Sequence, residues 1–268
     1  MFRTALASVT VVLLGALAMP LTPRLEASAG SSRLNSAHKT PVLVELFTSE
    51  GCSDCPPADT LLQKLDKSQP VAGAEVVVLS EHVDYWDDIG WKDPYSSHAF
   101  SERQSAYAGG FRLRSIYTPQ MVVDGRIELV GSDESGAIEA IRNAAKTEKI
   151  SVILSAIRPD GTNTITLHIE TAALPSGVSA ESVDVLVAVA DESDESHVSR
   201  GENAGRTLHH VAVVRTLTLV GTAEKGSSFS KDAKIHLDGR TLRNVRLVAF
   251  VQDKSGRIWG MGSGRLPN

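Results

Sequence analysis

Cys52 and Cys55, the chain's only two cysteines, can do covalent chemistry with each other. They lie in the run Leu43-Val44-Glu45-Leu46-Phe47-Thr48-Ser49-Glu50-Gly51-Cys52-Ser53-Asp54-Cys55-Pro56-Pro57. An apolar strand there meets a short turn, and a helix is expected to open. The thiolate is the reactive form of cysteine. A helix N-terminus lowers a thiol's pKa, because its backbone N–H groups are unpaired and its dipole favours an anion. The spacing places Cys52 exposed at the mouth of the helix as the attacking thiol. Cys55 follows one turn inward as the resolving thiol. Asp54 between them opposes a thiolate, so moderate activation is expected.

A Cys-x-x-Cys pair can be a redox couple, part of a metal site or an inert bridge. A bridge over so short a separation closes a tiny loop and removes little unfolded-chain entropy, so it is a poor structural staple. Zinc needs a second pair or ligands from elsewhere. The strand before and the helix after favour the redox couple. The metal alternative is a Cu(I) site on Cys52, Cys55 and His82, since soft thiolates select that ion. A third alternative is a non-catalytic binding module.

The elements that must hold the pair come from the stretch before Lys149, where strands and helices alternate. Residues 41–47 and 71–80 read as buried strands. Residues 58–65 and 96–108 read as helices, the first opened by Pro56 and Pro57. Residues 120–123 and 127–130 flank Asp124-Gly125, a hairpin signal. Asp133 or Ser135 can cap a closing helix through Ala145. A mixed sheet covered by helices is the expected α/β result.

After Lys149 the apolar pattern changes to period two, in 150–157, 164–170, 183–190, 211–220, 245–252 and 257–261. Six or seven strands with turns between them predict a small all-β, sandwich-like domain. The acidic tract 191–196 reads as a solvated turn. The expected organisation is residues 1–29 leader, 30–39 disordered lead-in, 40–148 α/β domain and 149–268 β domain.

The leader has the form of a secretory signal peptide: Arg3, then an apolar stretch over residues 5–18 that is too short to span a bilayer. Ala16-Leu17-Ala18 and Ala27-Ser28-Ala29 both offer cleavage sites, and the second, before Gly30, is preferred. The remaining chain is about 239 residues (268 less 29). Export makes the cysteine count informative, because secreted chains stabilised by disulfides carry several. A periplasmic or secreted monomer is expected. Net charge is −5 with no basic run, which argues against nucleic acid as a partner.

The order strand, Cys-x-x-Cys-Pro, helix, strand, helix, then Thr-Pro before a hairpin resembles the thioredoxin fold. Longer runs are more specific: Phe47-Thr48-Ser49-Glu50-Gly51-Cys52-Ser53-Asp54-Cys55-Pro56-Pro57-Ala58-Asp59, His82 through Pro94, Tyr117-Thr118-Pro119-Gln120-Met121, and Gly201-Glu202-Asn203-Ala204-Gly205-Arg206. They resemble the signature of a secreted bacterial thioredoxin-like family catalogued as domain of unknown function 1223. The resemblance covers nearly all the chain after the leader. It implies a thioredoxin-like domain over residues 40–148. It also implies a cis Thr118–Pro119 bond whose backbone faces Cys52 and binds substrate. Glu45 is implied to be a buried acid beneath the inner cysteine, shuttling its proton.

His82, Tyr85 and Trp86 open a segment dense in aromatic and acidic residues, at the sheet end where the cysteines should lie. It is either a substrate rim with His82 tuning the thiolate, or a structured loop whose aromatics pack over the sheet. His209 and His210 are adjacent on a strand, so they face opposite sides and cannot share a metal. Residues 201–206 either approach the cysteines or simply join two strands. The expected function is an exported thiol-disulfide oxidoreductase with no cofactor beyond its own disulfide. Its expected partners are exported protein thiols or disulfides and a membrane redox protein.

Overall fold

A computed structural model describes residues 1–2, 39–175, 180–237 and 244–266 of the protein. The expected signal peptide, its cleavage sites and nearly all of the lead-in lie outside these residues. The chain divides into two compact units, 1–36 and 37–268, and the fold below is that of the second. No described helix is long and apolar enough to cross a membrane.

Strand β1 (Thr40–Thr48) is buried from Val42 to Thr48, on both faces. A strand covered on both sides reads as a continuous apolar run. It pairs in parallel with β2 (Ala74–His82) and antiparallel with β3 (Gln120–Val123). β3 turns at Asp124-Gly125 into β4 (Ile127–Val130). Helix α1 (Pro56–Ser68) links β1 to β2 and buries Leu61, Leu62 and Leu65. Helix α2 (His98–Phe111) buries Phe100, Gln104 and Tyr107. Helix α3 (Glu134–Ala144) is capped by Asp133, whose carboxylate accepts the Gly136 N–H at 3.0 Å. A cap of this kind contributes about 1 kcal/mol.

Seven strands follow: β5 (Val152–Pro159), β6 (Thr164–Thr171), β7 (Ser182–His197), β8 (Thr207–Glu224), β9 (Phe229–His236), β10 (Val245–Gln252) and β11 (Ile258–Arg265). β5, β6 and β9 form a three-stranded sheet. Its Ile165, Leu167, Ile169 and Ile235 pack with Val185, Val187, Leu247 and Val251 of β7 and β10. Two strand layers are therefore present, but the larger is not a separate sheet. It continues the first one, in the order β11-β10-β7-β8-β2-β1-β3-β4, through a bridge between Ser80 and Val213. Ala188, Val214, Val248 and Phe250 belong to the same core as α1 and β1. The cause is legible in β10, which is buried at every position and so needs cover on both faces.

The acidic tract 191–196 is not a turn; it lies within β7. Arg215 of β8 binds Asp191 and Asp194, and Arg246 of β10 binds Glu192 at 2.6 Å. Strand pairing supplies the counter-charges that make this polar segment extended. β9 escapes the period-two pattern because only Ala233 and Ile235 in it are buried.

Candidate functional site

Cys52 and Cys55 are joined in a disulfide. Cys55 is the N-cap residue of α1, with φ −77° and ψ −37°, and Cys52 lies in the preceding turn. The Cys55 N–H donates to the Cys52 carbonyl at 3.3 Å and closes that turn. The sequence expectation needs two corrections here. Cys55 starts the helix rather than lying a turn inside it. Cys52 is only 2% exposed, and Cys55 is fully buried.

Two segments cover the turn. The first is the loop after β2: a Cβ on Gly51 would meet Trp86 Cβ at 3.1 Å, so any side chain there would press on the loop. The second is the connection between β7 and β8. Buried Asn203 donates from Nδ2 to the carbonyls of Glu50 and Cys52, both at 2.9 Å. The Glu202 carboxylate accepts the Ser53 N–H at 3.1 Å. Arg206 donates to Asn203 Oδ1 at 3.0 Å. Gly201 has φ +77°, and a Cβ there would meet Trp91 Cβ at 3.1 Å, so the strap also fits against the first loop. Residues 201–206 thus reach the cysteines.

Beside the turn lies a buried polar cluster. Glu50 Oε2 accepts the Trp91 indole N–H at 2.8 Å, and its Oε1 lies 3.2 Å from His210 Nε2. The Glu50 N–H donates to Asp93 Oδ2 at 2.8 Å, and His82 Nδ1 reaches the same oxygen at 2.7 Å. His210 Nδ1 stands 3.9 Å from Asp59 Oδ1, a charge contact rather than a hydrogen bond. Asp59 is one helical turn beyond Cys55, on the same face of α1. The His82 and His210 rings meet edge to face with centroids 4.7 Å apart. Burial disfavours the His210 cation, but Asp59 and Glu50 outweigh it and push its pKa up to about 10. Burial raises Asp93, yet His82 and backbone N–H donors bring it below the usual carboxylate range. Three buried atoms of this cluster have no hydrogen-bond partner: His82 Nε2, Asp59 Oδ1 and His210 Nδ1. As alternation requires, His210 is buried and His209 is exposed.

Glu45 is buried, as expected, but its described partners lie elsewhere. Its oxygens accept from Arg103 (Nε at 2.8 Å) and from Tyr107 Oη at 2.6 Å, both on α2. Alternation along β1 turns Glu45 and Phe47 toward α2, while Leu46 between them faces the α1 side. Gln252 of β10 donates to Tyr107 Oη and accepts from Arg103, both at 2.9 Å. Glu81 completes this cluster with no hydrogen-bond partner, its Oε1 3.5 Å from Arg103 Nε. Burial, only partly offset by Arg103, holds the Glu81 carboxyl well above the usual range.

Thr118–Pro119 is cis. Trp86 donates its indole N–H to Thr118 Oγ1 at 2.8 Å, joining this loop to the segment over Gly51. Tyr85 donates to Gln104 of α2 at 3.1 Å. His82 is fully buried and engaged by Asp93, so the aromatic segment packs and also borders the cysteine turn. Among the described residues no three His, Cys, Asp or Glu side chains could hold one metal ion, and His82 is not brought together with Cys52 and Cys55 as a ligand set.

The family profile described as "Protein of unknown function (DUF1223)" matches residues 43–252. The chain belongs to the DUF1223 family. This DUF1223 protein is also similar to solved structures. A crystal structure of an Agrobacterium tumefaciens protein is 26% identical, covering 85% of this chain and 95% of that one, with TM-score 0.64. HBP35 of Porphyromonas gingivalis is 17% identical over 85% of this chain and 76% of that one, with TM-score 0.60. No curated protein matches. Glu50, Asp59, Asp93, Glu202, Asn203 and His210 were not singled out as site residues from sequence. Asp59 was available from its spacing to Cys55, and His210 from strand alternation.

Proposed function

We propose that this protein is an exported thiol-disulfide oxidoreductase whose first half is thioredoxin-like. The observation that carries this reading is the Cys52–Cys55 disulfide at the start of α1, between β1 and a buried acid-histidine cluster. The reduced pair works by two exchanges. The Cys52 thiolate attacks a substrate disulfide and forms a mixed disulfide, releasing one substrate thiolate that takes up a proton. The Cys55 thiol loses its proton and attacks Cys52 Sγ. The Cys52–Cys55 bond forms and the second substrate thiol leaves. The reverse sequence oxidises a substrate dithiol, and the reduction potential of the pair sets the direction. Thr118, Pro119, Tyr85 and Trp86 border the substrate segment in this reading.

Glu50, Asp59 and His210 take over the proton-handling role expected of Glu45. Exported protein thiols or disulfides are the substrates, and a membrane redox protein resets the pair. Trapping tests the reading. A Cys55→Ser variant is expected to accumulate mixed disulfides through Cys52 with exported proteins. An empty trap, together with a dithiol that reduces no disulfide substrate, overturns it.

A further inference from the structure

The polar strap over the disulfide carries a consequence for Cys52. Its contacts are to the cysteine turn itself: Asn203 holds the Cys52 carbonyl, and Glu202 holds the N–H of the next residue, Ser53. A carboxylate is thus seated one peptide unit from Cys52, on a backbone donor at the helix mouth. Two negative charges cannot share that position without mutual cost, and a donor held by a carboxylate is withheld from a thiolate. The geometry points to the 201–206 strap as the regulator of Cys52, with Glu202 suppressing its thiolate and Asn203 controlling its access. This inference rests on Cys52 acting as a thiolate in the proposed function.

Apart from Asp54, which lies within the turn, the other charged groups around it do not do the same work. Glu50 precedes the turn, Asp59 comes from α1 and His210 from β8, and these three are paired together. Asp93 and His82, from β2 and the loop after it, are paired with each other. All five are buried. Asp54 lies within the turn and is exposed, and Arg206 is engaged by Asn203. Glu202 alone among them is an exposed carboxylate that bonds the turn's backbone from another segment. Reduction changes the balance. Two electrons and two protons convert the disulfide to two thiols, and loss of the Cys52 proton then sets a thiolate beside Glu202. The strap is thereby weakened in the reduced, reactive form and kept closed in the oxidised one.

The test uses the full chain reduced with dithiothreitol, freed of reductant, and alkylated with iodoacetamide across pH. The midpoint of the rate profile reports thiolate formation, and its high-pH plateau reports access. Glu202→Gln is expected to move the midpoint down and to raise the rate at pH 7 by about three- to tenfold. Glu202→Asp is expected to return the midpoint toward that of the native protein. Asn203→Ala is expected to raise the plateau several-fold. An unchanged or raised midpoint in Glu202→Gln overturns the charge role, and an unchanged plateau in Asn203→Ala overturns the gate. Alkylation needs no disulfide substrate, so its outcome is separable from an empty mixed-disulfide trap.

Discussion

Two buried acid clusters lie along one strand and differ in how their charge is closed. In the middle of β1, Glu45 and Glu81 share one guanidinium, Arg103, with Tyr107 and Gln252 completing the hydrogen bonds. Just past the end of β1, Glu50, Asp59 and Asp93 meet two imidazoles, His82 and His210. The first cluster ties α2 to β1 and β10. The second borders the disulfide and leaves three polar atoms without partners, while Glu81 leaves two in the first. Burial costs both clusters hydration. The difference is that guanidinium charge is permanent, whereas imidazole charge can be given up. The same residue class, buried glutamate, therefore serves cohesion at Glu45 and borders the disulfide at Glu50.

Removing Arg103 should break the comparison most strongly. Arg103→Ala strands the buried Glu45 carboxylate beside Glu81 and is expected to cost about 3–5 kcal/mol in urea unfolding. A loss below about 1 kcal/mol would mean that the cluster is solvated and not cohesive.

Glu81 gives the next largest effect, and it has the opposite sign. Its folded pKa lies well above the ordinary 4.5, mainly through burial. The folded state then binds a proton that the unfolded state has released. Stability from this group is present at low pH and is lost as pH rises above 4.5 toward the folded pKa. Glu81→Gln removes that slope and should stabilise the protein at pH 8 by about 1–3 kcal/mol. Equal pH slopes in both proteins would show that Glu81 is not held protonated.

Much of the fold could be read from the chain, but of the two clusters only Glu45 stood out, and not its partners. β3 and β4 fall on the residues that Asp124-Gly125 predicts, and β1, β2 and the three helices lie within a few residues of their patterns. Those signals are local: period, caps and turn chemistry. Glu45 stood out as the one carboxylate in an apolar strand, but its partner Arg103 lies 58 positions away and looks like any helix arginine. His210 and Asn203 come from 160 and 151 positions beyond the groups they bind. Contacts at that separation depend on the β2–β8 bridge, which is a single residue pair. Nothing in the composition of 191–196 announced that Arg215 would turn an acidic tract into strand.

His210 sharpens the contrast at the second cluster. Its pKa is pushed up to about 10 from 6.5. Its stabilising contribution is fully present below pH 6.5 and is lost as pH rises through about 10. His210→Gln should therefore be less stable than the native protein at pH 6 and level with it near pH 11. Loss of the buried cation also disfavours a neighbouring thiolate. The Cys52–Cys55 potential should fall by about 30 mV, equivalent to about 1.4 kcal/mol for this two-electron couple. An unchanged potential with reduced stability would assign His210 to structure alone. The two buried clusters would then do the same work.

Trp86 offers the smallest effect and separates packing from positioning. Its Cβ and backbone carbonyl lie against Gly51 and its indole N–H holds Thr118 Oγ1 at 2.8 Å. Trp86→Phe keeps an aromatic side chain packed beside Phe47 and Tyr107 and removes the donor. The expected cost is about 1 kcal/mol in the urea midpoint, with the slope unchanged. If Trp86 borders the substrate segment, mixed-disulfide formation should slow by more than that loss of stability explains. A loss near 3 kcal/mol with unaltered exchange kinetics would place Trp86 with Phe47 and Tyr107, as part of the cohesive face of the molecule.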